Sequence, residues 1–392
     1  MACFSQTVWS CMKAFLSSGS SGLINPFRVL AKGLILFAVV NLIFSVVYVP
    51  YGKLSLYNIL YPGRERFPFA EDVPEKIYNL TITDLDTMFS SHIIASLKTN
   101  DEYRVVLIGD SSVWGASIRS RDTLAGQLNS VGLITCDEKK LHFYNLAYPR
   151  NSVTKDFLIL SEAMRYEPDL FIWITTLGSL TPDRRLDHPI IQSNPNQLYE
   201  LSRKYGLEFD FSAVSFYHAS FVERTVFGYR KDIFDWARLQ LYGVLWAATG
   251  IDQVYRNSFK VYSLPELTDD VSFLDWQPPE VDPRLLSLDV LEAGMKVAGN
   301  TPVILVNEPI LVINGQKNSD LRYDMSYPRW VYDEYRQVMD EESRKNNWKY
   351  IDLWDLVPAT EFWGDTDLHL TPSGEARFSE KLIPYIRSAS CP

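Results

Sequence analysis

The chain has 392 residues, of which 46% are hydrophobic and 22% charged, a composition that excludes a disordered protein. A net charge of −10 excludes general nucleic-acid binding, which needs a basic surface against the phosphates. Four cysteines exclude a disulfide-dense scaffold, and with no zinc-site spacing, Gly-rich phosphate loop or paired helix histidines the sequence asks for no metal and no other cofactor.

The first element is a membrane span. Gly33 to Val49 carries no charge and one strongly polar residue, Asn41. Extended back to Leu30 across Lys32, it reaches the roughly 20 residues that cross a hydrocarbon core. It starts too far into the chain, and runs too long, for a cleaved signal peptide, so an uncleaved anchor is expected. Lys13, Arg28 and Lys32 precede it and Lys53, Arg64 and Arg66 follow it, a nearly balanced count from which a cytoplasmic N-terminus and an extracytoplasmic main domain are expected. The expected divisions are a cytoplasmic segment 1–29, a transmembrane helix 30–50, a linker 51–102 broken by Pro62, Pro68 and Pro74, and an α/β domain 103–388.

Within that domain, 104–108 (RVVLI), 142–146 (HFYNL), 170–175 (LFIWIT), 301–306 (TPVILV) and 348–353 (WKYIDL) read as short buried strands. Helical stretches 153–166, 286–298 and 329–346 alternate with them, which predicts a mostly parallel sheet covered on both faces. Residues 181–285 contain no clear parallel strand. They read as an inserted, largely helical region, with helices expected near Leu201–Tyr205 and across Val222–Thr249. The apolar stretch 239–250 is too short to span a bilayer; a buried helix or a membrane-surface contact would explain it. The 10 Trp, 22 Tyr and 21 Phe serve cores first, and sugar clefts or membrane belts second. Cys136 and Cys391 both follow the span; they either pair or stand as two separate thiols.

The sharpest local signal is Gly109-Asp110-Ser111-Ser112, a strand end turning towards a helix. That turn lifts the Ser111 hydroxyl to the carboxyl edge of the sheet, where open α/β folds place their sites. A serine nucleophile needs a base, usually a histidine held by a carboxylate. Of five histidines, His369 has the most telling setting, with Asp365 and Asp367 beside it and the helix-start pair Thr371-Pro372 just after. A second group, Asn307, Glu308, Arg322 and Arg329, follows the fourth strand and suits a polar or anionic substrate.

These blocks resemble the first and last blocks of the SGNH/GDSL hydrolase superfamily over roughly residues 103–180 and 300–388. The resemblance implies a flavodoxin-like three-layer sandwich with Ser111 as nucleophile, His369 as base and Asp365 or Asp367 as its orienting acid. The superfamily usually places that Asp three positions before the His, where this chain has Thr366. Its second block supplies an oxyanion-hole glycine, whose nearest match is Arg150, followed by Asn151. Its third supplies an asparagine, where this chain offers Thr176 and Gly178. The hole is therefore expected to be rebuilt, with Asn151 or a threonine hydroxyl as substitute donor, or else to be specialised or inactive.

The arrangement is similar to membrane-anchored SGNH proteins of cell-envelope O-acylation. It implies an acyl- or acetyltransferase acting on an envelope glycan or polymer beside a multi-span membrane-bound O-acyltransferase, the anchor contacting membrane lipid. An anchored esterase or deacetylase using the same Ser–His pair is the second expectation, and a non-catalytic subunit of a membrane complex the third.

Overall fold

The computed structural model describes residues 25–46, 64–67, 69, 83–213, 220–230, 233–234, 236–238, 240–241, 264, 266–279, 281–363 and 368–391. The chain divides into two compact units, residues 1–49 with 219–230, and the remainder.

In the first unit, α1 (Pro26–Val46) is a helix long and apolar enough to cross a membrane, with a mean hydropathy of 2.3 over its most apolar window. It begins four residues before the expected Leu30, because Asn25 accepts the first free backbone N–H groups and Pro26 suits the first helical position. Its polar residue, Asn41, returns its amide to Phe37 O at 2.8 Å and accepts the Phe227 N–H at 3.4 Å. Residues 221–229 form turns where a helix was expected; Thr225 bonds its hydroxyl back to Val222 O, a local alternative to the helical ladder. Residues 242–249 of that expected helix lie outside the described residues.

The second unit is built on five parallel strands: β1 (Glu102–Ile108), β2 (Lys140–Asn145), β3 (Leu170–Thr175), β4 (Val303–Asn307) and β5 (Lys349–Asp352). Their order is β2-β1-β3-β4-β5, with every pair parallel. The central strands bury both faces, which is why they read as apolar runs without alternation. One face packs on α4 (Val153–Ala163), α5 (Leu288–Ala298) and α6 (Arg329–Asn346), where Trp173 and Leu305 of the sheet meet Tyr332 and Tyr335 of α6 in one core. The other packs on α3 (Leu124–Val131) and α7 (Pro372–Ser390), with Ile172, Ile304, Phe378 and Leu382 in a second core. Between β1 and α3 lies the single turn α2 (Ser111–Trp114), and the three-layer sandwich expected from the sequence is present.

The lead-in before β1 is tied to this unit. The Trp114 indole donates to Phe67 O at 2.8 Å, and Arg66 donates to Gly115 O at 2.7 Å while lying over the Trp114 ring. At the far end, Cys136 and Cys391 are joined as a disulfide with Cα atoms 5.3 Å apart, which fastens the end of α7 to the loop before β2.

Candidate active site

The turn that carries Ser111 is specified locally. A Cβ on Gly109 would lie 2.7 Å from Val113 Cγ2 and 3.2 Å from Ile174 O, so only glycine fits where β1 breaks into α2. Asp110 is the N-cap, accepting the Ser112 N–H on Oδ1 at 2.8 Å. Gly115, at φ +82°, closes the turn in the left-handed region and donates back to Ser111 O and Ser112 O. Asn145, at the end of the neighbouring strand, donates to Val113 O at 2.8 Å. Ser111 therefore sits half-buried on a turn capped at both ends.

His369 comes from the other end of the chain. Thr371 caps α7, accepting the Gly374 N–H at 3.2 Å, with Pro372 in the first helical position as the sequence predicts. Just upstream, Phe362 and Leu370 bridge antiparallel, Trp363 N donates to His369 O at 3.1 Å, and the imidazole stacks on the Trp363 indole. Across 258 residues of sequence, His369 Nε2 lies 2.9 Å from Ser111 Oγ. That separation is within hydrogen-bond reach, the geometry that a serine nucleophile and its base require. Asp365 and Asp367 lie outside the described residues.

Below Ser111 the interior is acidic. The Ser112 hydroxyl donates to Glu308 Oε2, and Glu308 and Glu375 line one small cavity beside Leu370 and Phe378. Burial, and then the charge of Asp110, pushes the Glu308 carboxyl well above the usual carboxylate range; burial does the same to Glu375. The cation of this region is Lys155, fully buried, which pairs with Asp156 at 2.8 Å and donates to the carbonyls of Gly109 and Tyr148 at 2.7 Å each.

The remaining expected site residues fall into two sets. Arg150, Asn151 and Gly178 line one cleft of about 470 Å³ together with Asp183, Phe273 and Tyr327; Ser111 and His369 do not line it. Arg150 has φ +72°, the left-handed geometry that a glycine would adopt freely there. A Cβ on Gly178 would meet Asn151 Nδ2 and the Tyr327 hydroxyl, each at 2.9 Å, so the missing side chain makes room for both groups. The Gly178 N–H itself points to Tyr327 Oη at 3.3 Å.

The second set turns inward. Thr176 is fully buried with its hydroxyl 3.4 Å from that of Tyr332. The Asn307 amide donates to Asp352 at 2.9 Å and accepts from Tyr332 and Tyr335. Glu308 lies beneath Ser112. Arg322 is buried, donating to the carbonyls of Asp324, Asp270 and Met325. Arg329 donates to Ser319 O at 2.7 Å and covers the Tyr323 ring. Arg322 and Trp330, which donates to Val271 O, hold down residues 270–271 and so position Phe273 over the cleft. Sequence reasoning passed over Lys155 and His188, and only the single buried-charge anomaly of a Lys within an apolar helix pattern (VTKDFLIL) signals the first of them; Tyr327, read with Arg322 and Arg329 as an aromatic of the substrate group, does line the cleft.

A parallel sheet in this order, with Ser111 at the carboxyl end of β1 and His369 just ahead of the last helix, is the α/β arrangement that the resemblance to SGNH folds implied. No family model matches the chain, and no curated protein does. Solved structures similar to it include a carbohydrate acetylesterase family member from Sinorhizobium meliloti, at 12% identity and a TM-score of 0.34, covering 74% of this chain and 99% of the other. A lipolytic G-D-S-L family member from Veillonella parvula shows 10% identity and a TM-score of 0.33, covering 72% and 97%. An acetylxylan esterase from Geobacillus stearothermophilus, solved as a catalytic mutant, shows 12% identity and a TM-score of 0.34, covering 72% and 94%.

Proposed function

We propose that this protein is a membrane-anchored, extracytoplasmic serine acyltransferase that moves an acyl or acetyl group onto a hydroxyl of a cell-envelope glycan or polymer. The observation that carries the reading is the 2.9 Å contact between His369 Nε2 and Ser111 Oγ. Ser111 attacks the donor's acyl carbonyl while His369 takes its proton, and the N–H groups of Ser111 and Arg150 receive the developing oxyanion. His369 then protonates the leaving group, which leaves the acyl group on Ser111. An acceptor hydroxyl, deprotonated by His369, attacks that ester and restores the serine. The Asn151 amide is the substitute third donor.

Three further features support the setting. The α1 helix supplies an anchor, and Lys13 ahead of it with Arg28 and Lys32 near its N-terminal end suits the inside orientation. A disulfide between Cys136 and Cys391 suits an oxidising compartment outside the cytoplasm. The cleft beside Arg150 and Asn151 pairs Phe273 and Tyr327 with polar groups, a lining suited to a sugar ring. A multi-span O-acyltransferase that hands over the acyl group is the partner this reading implies.

The test is turnover of a p-nitrophenyl acetate donor by detergent-purified protein, with and without envelope oligosaccharides as acceptors. Acceptor-dependent acetylation that falls by roughly 10³ or more in Ser111→Ala supports transfer. Ser111-dependent release without an acetylated acceptor assigns hydrolysis instead, and no Ser111-dependent reaction leaves a structural subunit.

A further inference from the structure

Two buried side chains outside the Ser–His pair converge on the backbone of the loop after β2. His188 Nε2 lies 3.1 Å from Pro149 O, and His188 Nδ1 accepts the Ile190 N–H at 3.1 Å. An accepting Nδ1 places the ring's proton on Nε2, so His188 donates to the Pro149 carbonyl. Burial, with the charge of Lys155 next, lowers His188 to about 3 and keeps the ring in that neutral form. Lys155 donates to Gly109 O and Tyr148 O and forms an ion pair with Asp156 Oδ1, and the Tyr148 N–H also donates to Gly109 O at 3.1 Å.

We propose that His188 is a positioning residue, seconded by Lys155, that orients the Arg150 N–H as an oxyanion donor. A trans peptide sets its C=O and N–H antiparallel across one rigid plane. The Pro149 carbonyl and the Arg150 N–H belong to the same peptide. Gripping that carbonyl from the interior therefore aims the N–H the opposite way. The grip is needed because Arg150 stands at φ +72°, a conformation that a residue with a side chain leaves readily unless its surroundings hold it. Lys155 fixes the preceding carbonyl and ties it to Gly109, so the donor loop and the nucleophile turn share one anchor. Neither residue touches substrate. His188 is fully buried at the N-cap of the short helix Pro189–Ser193, and so the inserted region contributes to the site through its first turn.

This inference rests on the reading of Ser111 as an acyl nucleophile, and a cycle of variants in the full-length, detergent-solubilised protein separates the two. His188→Leu removes the donor and keeps apolar volume. In ester turnover its kcat is expected to fall about tenfold to a hundredfold, short of the 10²–10³ for outright loss of a donor, with KM moved far less. Arg150→Gly added to His188→Leu should recover most of that loss, since glycine adopts φ > 0 without a steric penalty. Amide hydrogen exchange across residues 147–151 should rise in His188→Leu and fall back in the double variant. A folded His188→Leu with wild-type kcat and exchange overturns the proposal, as does a loss that Arg150→Gly leaves unrepaired. If wild-type protein turns over no ester, the function reading fails, while the exchange pattern alone still decides whether His188 holds the loop.

Discussion

Glu308 marks how the end of a buried strand divides its side chains. Successive residues of β4 point to opposite faces, so Asn307 enters the core of Tyr332 and Tyr335 while Glu308 passes under α2 to meet Ser112. Sequence position put both at the carboxyl edge with Ser111, and the period of two then sent neither into the cleft. Raised by burial and by Asp110, the Glu308 carboxyl favours its protonated form in the folded state. Its contribution is complete below the unfolded carboxylate pKa and is lost as pH rises through the folded one. Glu308→Gln keeps the shape and cannot ionise. The thermal midpoint of this variant minus that of wild type should therefore increase from about pH 5 to about pH 8. A difference that stays flat or shrinks over that range means Glu308 is not held protonated. At this scale the Ser111 and His369 settings were legible, because a Gly-Asp-Ser turn and a Thr-Pro cap are encoded within a few residues. Lys155 and His188 were not: their meaning depends on carbonyls brought from other parts of the chain.

Among the elements, α5 shows how tightly the layers close on the sheet. A Cβ on Gly294 would lie 2.3 Å from Cζ3 of Trp173, whose ring is fully buried at the centre of β3. Alanine gains about 1 kcal/mol of helix propensity over glycine. Overpacking a core against a ring that cannot move costs about 1–3 kcal/mol, and so outweighs it. Gly294→Ala should lower the thermal midpoint, measured by circular dichroism; an unchanged or higher midpoint would show that α5 can slide off the ring. The strands were read within a few residues of their observed limits, since buried parallel strands are continuous apolar runs. β4 starts at Val303 where Thr301 was expected, because Pro302 has no N–H for the ladder and only its carbonyl joins, accepting from Phe171. The turns at 221–229 escaped the reading because Ser220 and Thr225 satisfy local backbone groups, a choice that hydrophobic periodicity does not register.

For the whole molecule, the Cys136–Cys391 bridge closes a loop spanning 255 residues around most of the second unit. Loop-closure entropy sets its stabilisation at roughly 5 kcal/mol in the chain-entropy account. Reduction, or Cys136→Ser, should lower the thermal midpoint clearly; no change would mean that the two sulfurs are unbridged in the purified protein. Spacing alone left the pairing open, since the 5.3 Å approach of the two Cα atoms exists only after α7 has packed beside α3. The central claim is that Ser111 is a nucleophile activated by His369, and serine-directed fluorophosphonate labelling of the detergent-purified protein tests it most directly. The account predicts one covalent adduct, mapped by mass spectrometry to Ser111, that disappears in Ser111→Ala and falls steeply in His369→Ala. A folded wild-type protein that takes up no label, or one labelled equally well without His369, would contradict it.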